Sequence, residues 1–171
     1  ATTMQMYKIL ALNSLISAYG LSVLHLEAVR YGDFQATVSG MLLAACFMFL
    51  TKAQPVEKLA SRRPQAAVCN WYVLASVLGQ FSLHLASMIW VLRVSNRWSF
   101  RGAPDIAAKA TFSPGLLNTT VFLVGLLMQV STFVVNYQGR PFRESLSENT
   151  ALRTSLTMVG AVAVIAATES F

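Results

Sequence analysis

Five long stretches without a formally charged side chain constrain this sequence more than any other feature. They cover residues 9–26, 34–51, 64–92, 110–139 and 154–168. A helix needs about 20 mostly apolar residues, with a range of about 17–25, to cross a bilayer. Four stretches reach that length, and the fifth comes close to it. We therefore predict an all-α, polytopic bundle of five transmembrane helices, near residues 6–27, 34–52, 70–92, 115–136 and 152–169.

The composition supports a membrane protein and argues against a nucleic-acid-binding one. Of the 171 residues, 55% are hydrophobic and 12% are charged, whereas soluble domains carry about 25% charged residues. The net charge of +6 would suit a nucleic acid. However, the basic residues lie in the connections between apolar stretches, where membrane topology places them. We expect a lipid bilayer as partner and no nucleic acid.

The distribution of basic residues predicts the orientation of the bundle. Basic residues accumulate in the cytosolic connections of membrane proteins. A cytosolic N-terminus puts five basic residues on the far side of the membrane and eight on the cytosolic side. These eight are Lys8, Lys52, Lys58, Arg62, Arg63, Arg140, Arg143 and Arg153. The count favours a cytosolic N-terminus.

Two connections carry local structural signals. The stretch "EAVRYGD" predicts a tight hairpin between the first two helices, with Gly32 supplying the turn. Ser145 and Glu148 have the spacing of a capping box, in which two side chains satisfy the first backbone N–H groups of a helix. We expect this pair to cap the last helix.

Polar residues recur at helical spacing in the third and fourth spans. Lipid cannot form hydrogen bonds with these groups, so they should face other helices or a wet cavity. We favour helix packing here, through a polar stripe of Gln80, His84, Gly125, Gln129 and Thr132. Gly125 is expected to allow the close approach of a neighbouring helix.

The first two spans leave packing and cavity lining open as alternatives. Their candidates for a substrate-cavity rim are Asn13, Asp33, Gln35 and Thr37. Asp33 has a second interpretation as a helix cap, since an acid stabilises the start of a helix. A hard cation needs several oxygen ligands around one point. These four residues are too few and too scattered in depth for such a site.

No catalytic or metal-binding motif is recognisable. The sequence lacks a phosphate-binding P-loop, the His-Glu-x-x-His zinc motif and the Gly-x-Ser-x-Gly elbow. His25 and His84 have no Cys or second His at ligand spacing. We therefore predict no catalytic residues and no metal site within this stretch.

Three stretches resemble one family over nearly the whole chain. They are "MYKILALNSLISAYGLSVLHLEAVRYGDFQATVSGMLLA", "NWYVLASVLGQFSLHL" and "NTTVFLVGLLMQVSTFVVNYQGRPFRESLSEN". Together they resemble the C-terminal membrane region of type V-A P-type ATPases, the endoplasmic-reticulum pumps that act as transmembrane-helix dislocases. The blocks around "GDFQAT" and "NYQGRPF" are the most specific parts.

The resemblance implies that residues 1–171 form a single membrane-domain fragment containing membrane helices five to nine of a multi-pass protein of the endoplasmic reticulum. The chain lacks an initiator Met and stops beside an apolar run, so we expect a piece of a longer protein. The parent would use ATP and Mg²⁺ in upstream domains and would act on transmembrane-helix polypeptides. The second span would form one wall of its substrate cavity.

Two alternatives remain open at this point. The first is the membrane domain of a cation-transporting P-type ATPase, which has the same fold. The second is a stand-alone multispanning scaffold or secondary transporter without an ATPase. Intramembrane oxygen ligands would favour the first alternative, and this sequence contains few of them.

Overall fold

The computed structural model describes residues 2–57, 61, 67, 70–98 and 115–168. Its helices are α1 (Thr2–Leu26), α2 (Asp33–Thr51), α3 (Trp71–Trp98), α4 (Leu116–Asn136) and α5 (Thr150–Ala167). All five are long and apolar enough to cross a membrane, which confirms the predicted fold class. The largest difference from prediction is α3, which continues six residues beyond residue 92. No Gly or Pro occurs between residues 92 and 98, so the sequence contains no stop signal that would end the helix earlier.

Helix α4 lies at the centre of the bundle. It packs against α1, α3 and α5, and α1 also packs against α3. Helix α2 packs mainly against α5 and only slightly against α4. Because lipid tails are as apolar as the side chains, close packing and hydrogen bonds drive this association more than the hydrophobic effect.

Two clusters of buried apolar side chains lie in the bundle, one towards each end. One consists of Ile9, Cys46, Leu50, Phe133, Leu152 and Leu156. The other consists of Ile16, Leu24, Met88, Leu117, Val121 and Met128. In the first cluster the Phe47 and Phe133 rings meet edge to face, with centroids 5.1 Å apart. Both clusters contain residues of α1 and α4, so these two helices form the core of the bundle.

At one end of the bundle, the connection after α2 contacts the connection before α5. We call this the joined end. The Arg143 guanidinium donates to the Leu50 carbonyl at 3.1 Å. The backbone N–H of Glu144 donates to the Gln54 carbonyl at 3.1 Å, and the Gln54 N–H donates to Glu144 Oε1 at 3.2 Å. These bonds hold the last turn of α2 beside α5.

The last helix is capped by a different residue from the one predicted. Helix α5 begins at Thr150, and Asn149 Oδ1 accepts the N–H of Leu152 at 3.0 Å. The Asn149 amide also donates to the Phe49 carbonyl at 3.3 Å. One side chain thus caps α5 and ties it to α2, which a Ser at the predicted position cannot do.

The predicted capping pair instead closes the turn before α5. The Ser145 N–H donates to Glu148 Oε2 at 2.7 Å, and Arg140 forms an ion pair with the same carboxyl group. The hydrogen bond from Arg140, together with that from Ser145, lowers the pKa of Glu148 to about 2. Because these bonds stabilise the ionised carboxylate, the turn keeps its ion pair until the pH falls towards this pKa.

The joined end also carries the described part of the predicted cytosolic charge. Lys52, Arg140, Arg143 and Arg153 lie in its connections or in the adjoining helix turns, and Lys8 lies in the second turn of α1. The predicted cytosolic residues Lys58, Arg62 and Arg63 lie outside the described residues. The cytosolic orientation of the N-terminus therefore stays a prediction.

The opposite end, which we call the hairpin end, turns at Ala28 and not at Gly32. Ala28 has a φ of 55°, and the N–H groups of Ala28 and Val29 return to the carbonyls of His25 and Leu24. This is a Schellman motif, which ends a helix with one left-handed residue. Gly32 is the extended N-cap of α2, with φ −75°. The prediction that Gly32 supplies the turn was therefore wrong.

We expect Ala28→Gly to raise the stability of the full-length protein by about 1 kcal/mol, since a left-handed conformation costs about 1–2 kcal/mol for a residue with a β-carbon. The matched control is Ala18→Gly in the middle of α1, which should lower stability by about 0.5–1 kcal/mol. Thermal unfolding in detergent measures both. Equal shifts of the same sign would contradict the assignment of Ala28 as the helix-ending residue.

Candidate functional site: a lateral cleft between three helices

Helices α1 and α2 follow each other closely in sequence but diverge in space. Only residues 27–32 separate them. Nevertheless, α1 packs against α3 and α4, whereas α2 packs mainly against α5. Within the described residues, α1 and α2 do not pack along each other. The space between them is a half-open cleft of about 310 Å³, and α4 forms its floor.

Small and neutral polar side chains line much of this cleft. Each of the three helices contributes one glycine, and the polar groups come from Ser17, Tyr31, Ser39 and Gln129. A β-carbon added to Gly40 or Gly125 would have no neighbouring atom within 4 Å among the described residues. On each helix the lining positions recur every three or four residues, partly as adjacent pairs such as Gly20 and Leu21, which places them along one face of the helix.

None of the described residues that line the cleft is charged. An ion pair lies near its hairpin end, where Arg30 Nη2 and Asp33 Oδ2 are 3.8 Å apart. The two side chains are 60% and 95% exposed, so this pair is weak and can exchange partners readily. Within the cleft, the Tyr31 hydroxyl and Ser39 Oγ are 3.4 Å apart.

Three of the predicted rim residues lie in the first turns of α2. Asp33 is the first residue of the helix. Gln35 Oε1 accepts the Gly32 N–H at 3.2 Å, and Thr37 Oγ1 donates to the Asp33 carbonyl at 2.9 Å. The lining of the cleft comes from their neighbours Ala36 and Ser39. The participation of the three residues in a cavity rim stays a prediction.

The fourth predicted residue, Asn13, is buried inside the bundle. It is 2% exposed, and neither Oδ1 nor Nδ2 has a hydrogen-bond partner in the part of the chain that the structure describes. An unsatisfied buried polar group costs about 1–3 kcal/mol. Asn13 is therefore destabilising unless a group from outside these residues pairs with it.

The predicted packing stripe divides into two parts. Gln80 and Asn136 form two amide hydrogen bonds between α3 and α4, at 3.2 and 2.7 Å. Thr132 is fully buried and donates to the Met128 carbonyl, while His84 is half-buried on α3. Gly125 and Gln129 instead line the cleft. Helix packing by the whole stripe stays a prediction, and the close helix approach expected at Gly125 is not seen in the described structure.

Sequence reasoning also missed two polar residues that join elements. Gln5 Oε1 accepts the Gln138 N–H at 2.8 Å, and Asn149 joins α5 to α2. Both residues lie before or at the start of an apolar run. Polar residues are common at such positions, so the sequence does not distinguish these two from others. Only the position of Asn149 before α5 carried a signal, because Asn favours the N-cap.

No three His, Cys, Asp or Glu side chains lie together within the described ranges. The neutral lining of the cleft also lacks the carboxylates that hard cations prefer. The chemistry available in the cleft is hydrogen bonding and the packing of apolar side chains.

We expect Gly125→Leu to fold with a stability within about 0.5 kcal/mol of the parent, because the new side chain enters open space. The contrasting variant is Gly139→Ala. Its β-carbon would lie 2.9 Å from both Glu144 O and Ser145 Cα, so it should lose about 1–3 kcal/mol. Thermal unfolding of the full-length protein tests both. A large loss for Gly125→Leu would show that another helix covers Gly125.

Comparison with known proteins identifies relatives along the whole chain, although no protein-family model matches. An endoplasmic reticulum transmembrane helix translocase of Schizosaccharomyces pombe is 48% identical over 165 residues, which is 96% of this chain and 14% of the relative. The protein of that name in Saccharomyces cerevisiae is 46% identical over 167 residues, covering 98% and 14%. A probable manganese-transporting ATPase of Arabidopsis thaliana is 43% identical over 150 residues, covering 86% and 12%.

The chain thus spans about 14% of the length of the curated relatives it matches first. The matched part contains the five candidate membrane spans, the interlocking joined end and the cleft. Together the spans and the relatives indicate a multi-pass protein of the endoplasmic-reticulum membrane. By this similarity the chain corresponds to the C-terminal membrane region of the type V-A P-type ATPases that carry the name endoplasmic reticulum transmembrane helix translocase.

Proposed function

We propose that this chain forms part of the membrane domain of an ATP-driven pump that removes mis-inserted helices from the endoplasmic-reticulum membrane. The names of relatives in three fungi support this proposal. ATP and Mg²⁺ would act in other regions of the full-length protein. The role of this chain is to hold the substrate helix beside α1, α2 and α4.

The lateral cleft is the observation that carries the proposal. Two long helices joined by a short connection commonly pack as an antiparallel pair. Here α2 is held against α5 at the joined end, and the space beside α1 stays open. A helix can therefore approach the floor of the cleft sideways from the lipid, without passing through a closed pore.

The size of the cleft limits how a helix can bind there. A helix with its side chains is about 10–12 Å across, and a volume of about 310 Å³ accepts only the side chains of one face. The cleft is thus one wall of a larger cavity. The rest of that cavity would come from other regions of the full-length protein.

Cation transport is the alternative suggested by the name of the Arabidopsis relative. Hard cations take about six to eight oxygen ligands, many of them carboxylates. The cleft offers two hydroxymethyl groups, one phenol and one amide among its lining residues, which are otherwise apolar. This chemistry suits the side chains of a helix better than a dehydrated cation.

A photo-cross-linking residue at Gly40 of the full-length translocase tests the proposed site. We expect it to capture a mis-inserted model helix in microsomes, and we expect ATP with Mg²⁺ to reduce the yield as the substrate leaves. The control is the same residue at Leu83 on α3, which is 69% exposed and does not line the cleft. Equal capture at both positions would mean that the helix only meets the protein by diffusion in the lipid.

The exposed carboxylate at the hairpin end leads to a second test. Asp33→Asn keeps a polar side chain in the first turn of α2 but removes its negative charge. The ATPase activity should then respond less to a substrate helix with basic lumenal residues, by up to about fivefold, as for an exposed ion pair of about 1 kcal/mol. Stimulation by a neutral substrate should not change. If both substrates stimulate the variant as they do the parent, Asp33 serves only the start of α2.

A further inference from the structure

We infer that the cleft contains a niche around Gly40 and Gly125, near the middle of the membrane, which receives one bulky apolar side chain of the substrate helix. The inference rests on the proposed function and adds to it a class of substrate, namely helices with a large residue such as Phe near their centre. It is independent of any charge at the end of the helix.

The empty space beside the two glycines is the first support. A β-carbon added to Gly40 or Gly125 would have no neighbouring atom within 4 Å among the described residues, and both positions line the cleft. At Gly20, the third glycine of the lining, an added β-carbon would lie 3.8 Å from Val121 Cγ1, which is an ordinary packing distance. The unfilled part of the cleft therefore lies at Gly40 and Gly125.

The register between α2 and α4 brings Gly40 and Gly125 to the same height. Both helices run from the hairpin end to the joined end, and the Phe47 and Phe133 rings are in contact. Gly40 lies seven residues before Phe47, and Gly125 lies eight before Phe133. The difference of one residue is a rise of about 1.5 Å. Because both glycines lie near the middle of helices long enough to cross a membrane, the niche lies at mid-membrane height.

Larger side chains border the niche on both sides. Towards the hairpin end, the rings of Tyr31 and Phe122 line the cleft with their centroids 6.4 Å apart. Towards the joined end, Leu43 lines it one turn after Gly40. The lining thus changes from large to small and back within about two helical turns. Such a hollow accepts one side chain of a facing helix, as a hole accepts a knob in a coiled coil.

The physics of packing in lipid decides which side chain suits the niche. Lipid tails are as apolar as the side chains, so helices associate through close packing. Dispersion attraction is lost wherever an atom faces a gap. The cleft of about 310 Å³ is too small for a whole helix, which is about 10–12 Å across with its side chains. A large side chain can reach the glycines from outside, whereas a central Ala leaves the hollow unfilled.

Extraction of two model helices by the full-length translocase in proteoliposomes tests the niche. One helix has Phe at its centre and Ala seven residues away on the same face, and the other helix has these two residues exchanged. The protein variants are Gly125→Leu and Gly40→Leu, each of which fills the hollow from one side. The control is Gly79→Leu on α3, because Gly79 is exposed, does not line the cleft and has open space around an added β-carbon.

The parent should extract the central-Phe helix about tenfold faster than the shifted-Phe helix at limiting substrate, which is the lower end of the discrimination that an apolar pocket gives for size. Both helices have the same composition, so hydrophobicity alone does not separate them. Gly125→Leu and Gly40→Leu should bring the ratio close to one by slowing the central-Phe helix. Gly79→Leu should keep the parental ratio.

Three results would overturn the niche while leaving the proposed function in place. One is a ratio near one in the parent. Another is faster extraction of the shifted-Phe helix by the parent, which would mean that the glycines admit the substrate backbone beside a central Ala. The third is a parental ratio in folded Gly125→Leu and Gly40→Leu, whether or not both rates fall.

The inference stays testable if a Leu variant does not fold. The other Leu variant then decides, together with Gly125→Ala and Gly40→Ala, which place only a β-carbon in open space and should lower the ratio in part. An unchanged ratio in these variants would overturn the niche. A parent protein that extracts neither helix with ATP and Mg²⁺ would instead refute the proposed function.

Discussion

The inability of lipid to form hydrogen bonds governs the whole arrangement of these helices. Every polar side chain within a span must find a partner in the protein or accept a free-energy cost. Gln80 and Asn136 meet this requirement by bonding to each other across α3 and α4. Thr132 meets it by bonding to the backbone of its own helix. Each hydrogen bond between two helices stabilises the folded protein by only about 0.6 kcal/mol. Such bonds nevertheless allow only a few relative positions of the helices.

The same requirement explains why α2 leaves α1. The end of α2 presents free carbonyl groups, because the last four carbonyls of any helix lack a partner within it. Two of the carbonyls near that end accept hydrogen bonds from Arg143 and Asn149 at the joined end. These bonds draw α2 to the side of α5, while α1 stays with α4 in the two apolar clusters. The cleft results from two sets of contacts that pull neighbouring helices apart.

The contents of the cleft follow from its position in the membrane. Glycines and small hydroxyl side chains leave room for the side chains of another helix, and the lining residues that the structure describes are uncharged. Charge remains at the hairpin end, where Arg30 and Asp33 are exposed. The two charges form an ion pair, so the charge beside the cleft is balanced and lies at the surface of the bundle.

The sequence by itself determined the five spans, because a charged residue is costly in lipid and the uncharged stretches can be read directly. It also determined the family, because the order of residues in the family's motifs can be read directly as well. Local chemistry alone did not determine the ends of the helices. Ala28 takes the left-handed turn in place of Gly32, and Asn149 caps α5 in place of the Ser145–Glu148 pair. Both outcomes depend on where α1 and α2 come to lie.

Only the tertiary structure decided what each polar face meets. Gln80, Gly125 and Gln129 have similar places in the pattern of their spans. Yet Gln80 pairs with another helix, while Gly125 and Gln129 line the cleft. Helical spacing shows that residues share a face, but it does not show which neighbour covers that face. That neighbour is set by contacts between residues far apart in the chain, such as those of Arg143 with Leu50 and Gln5 with Gln138.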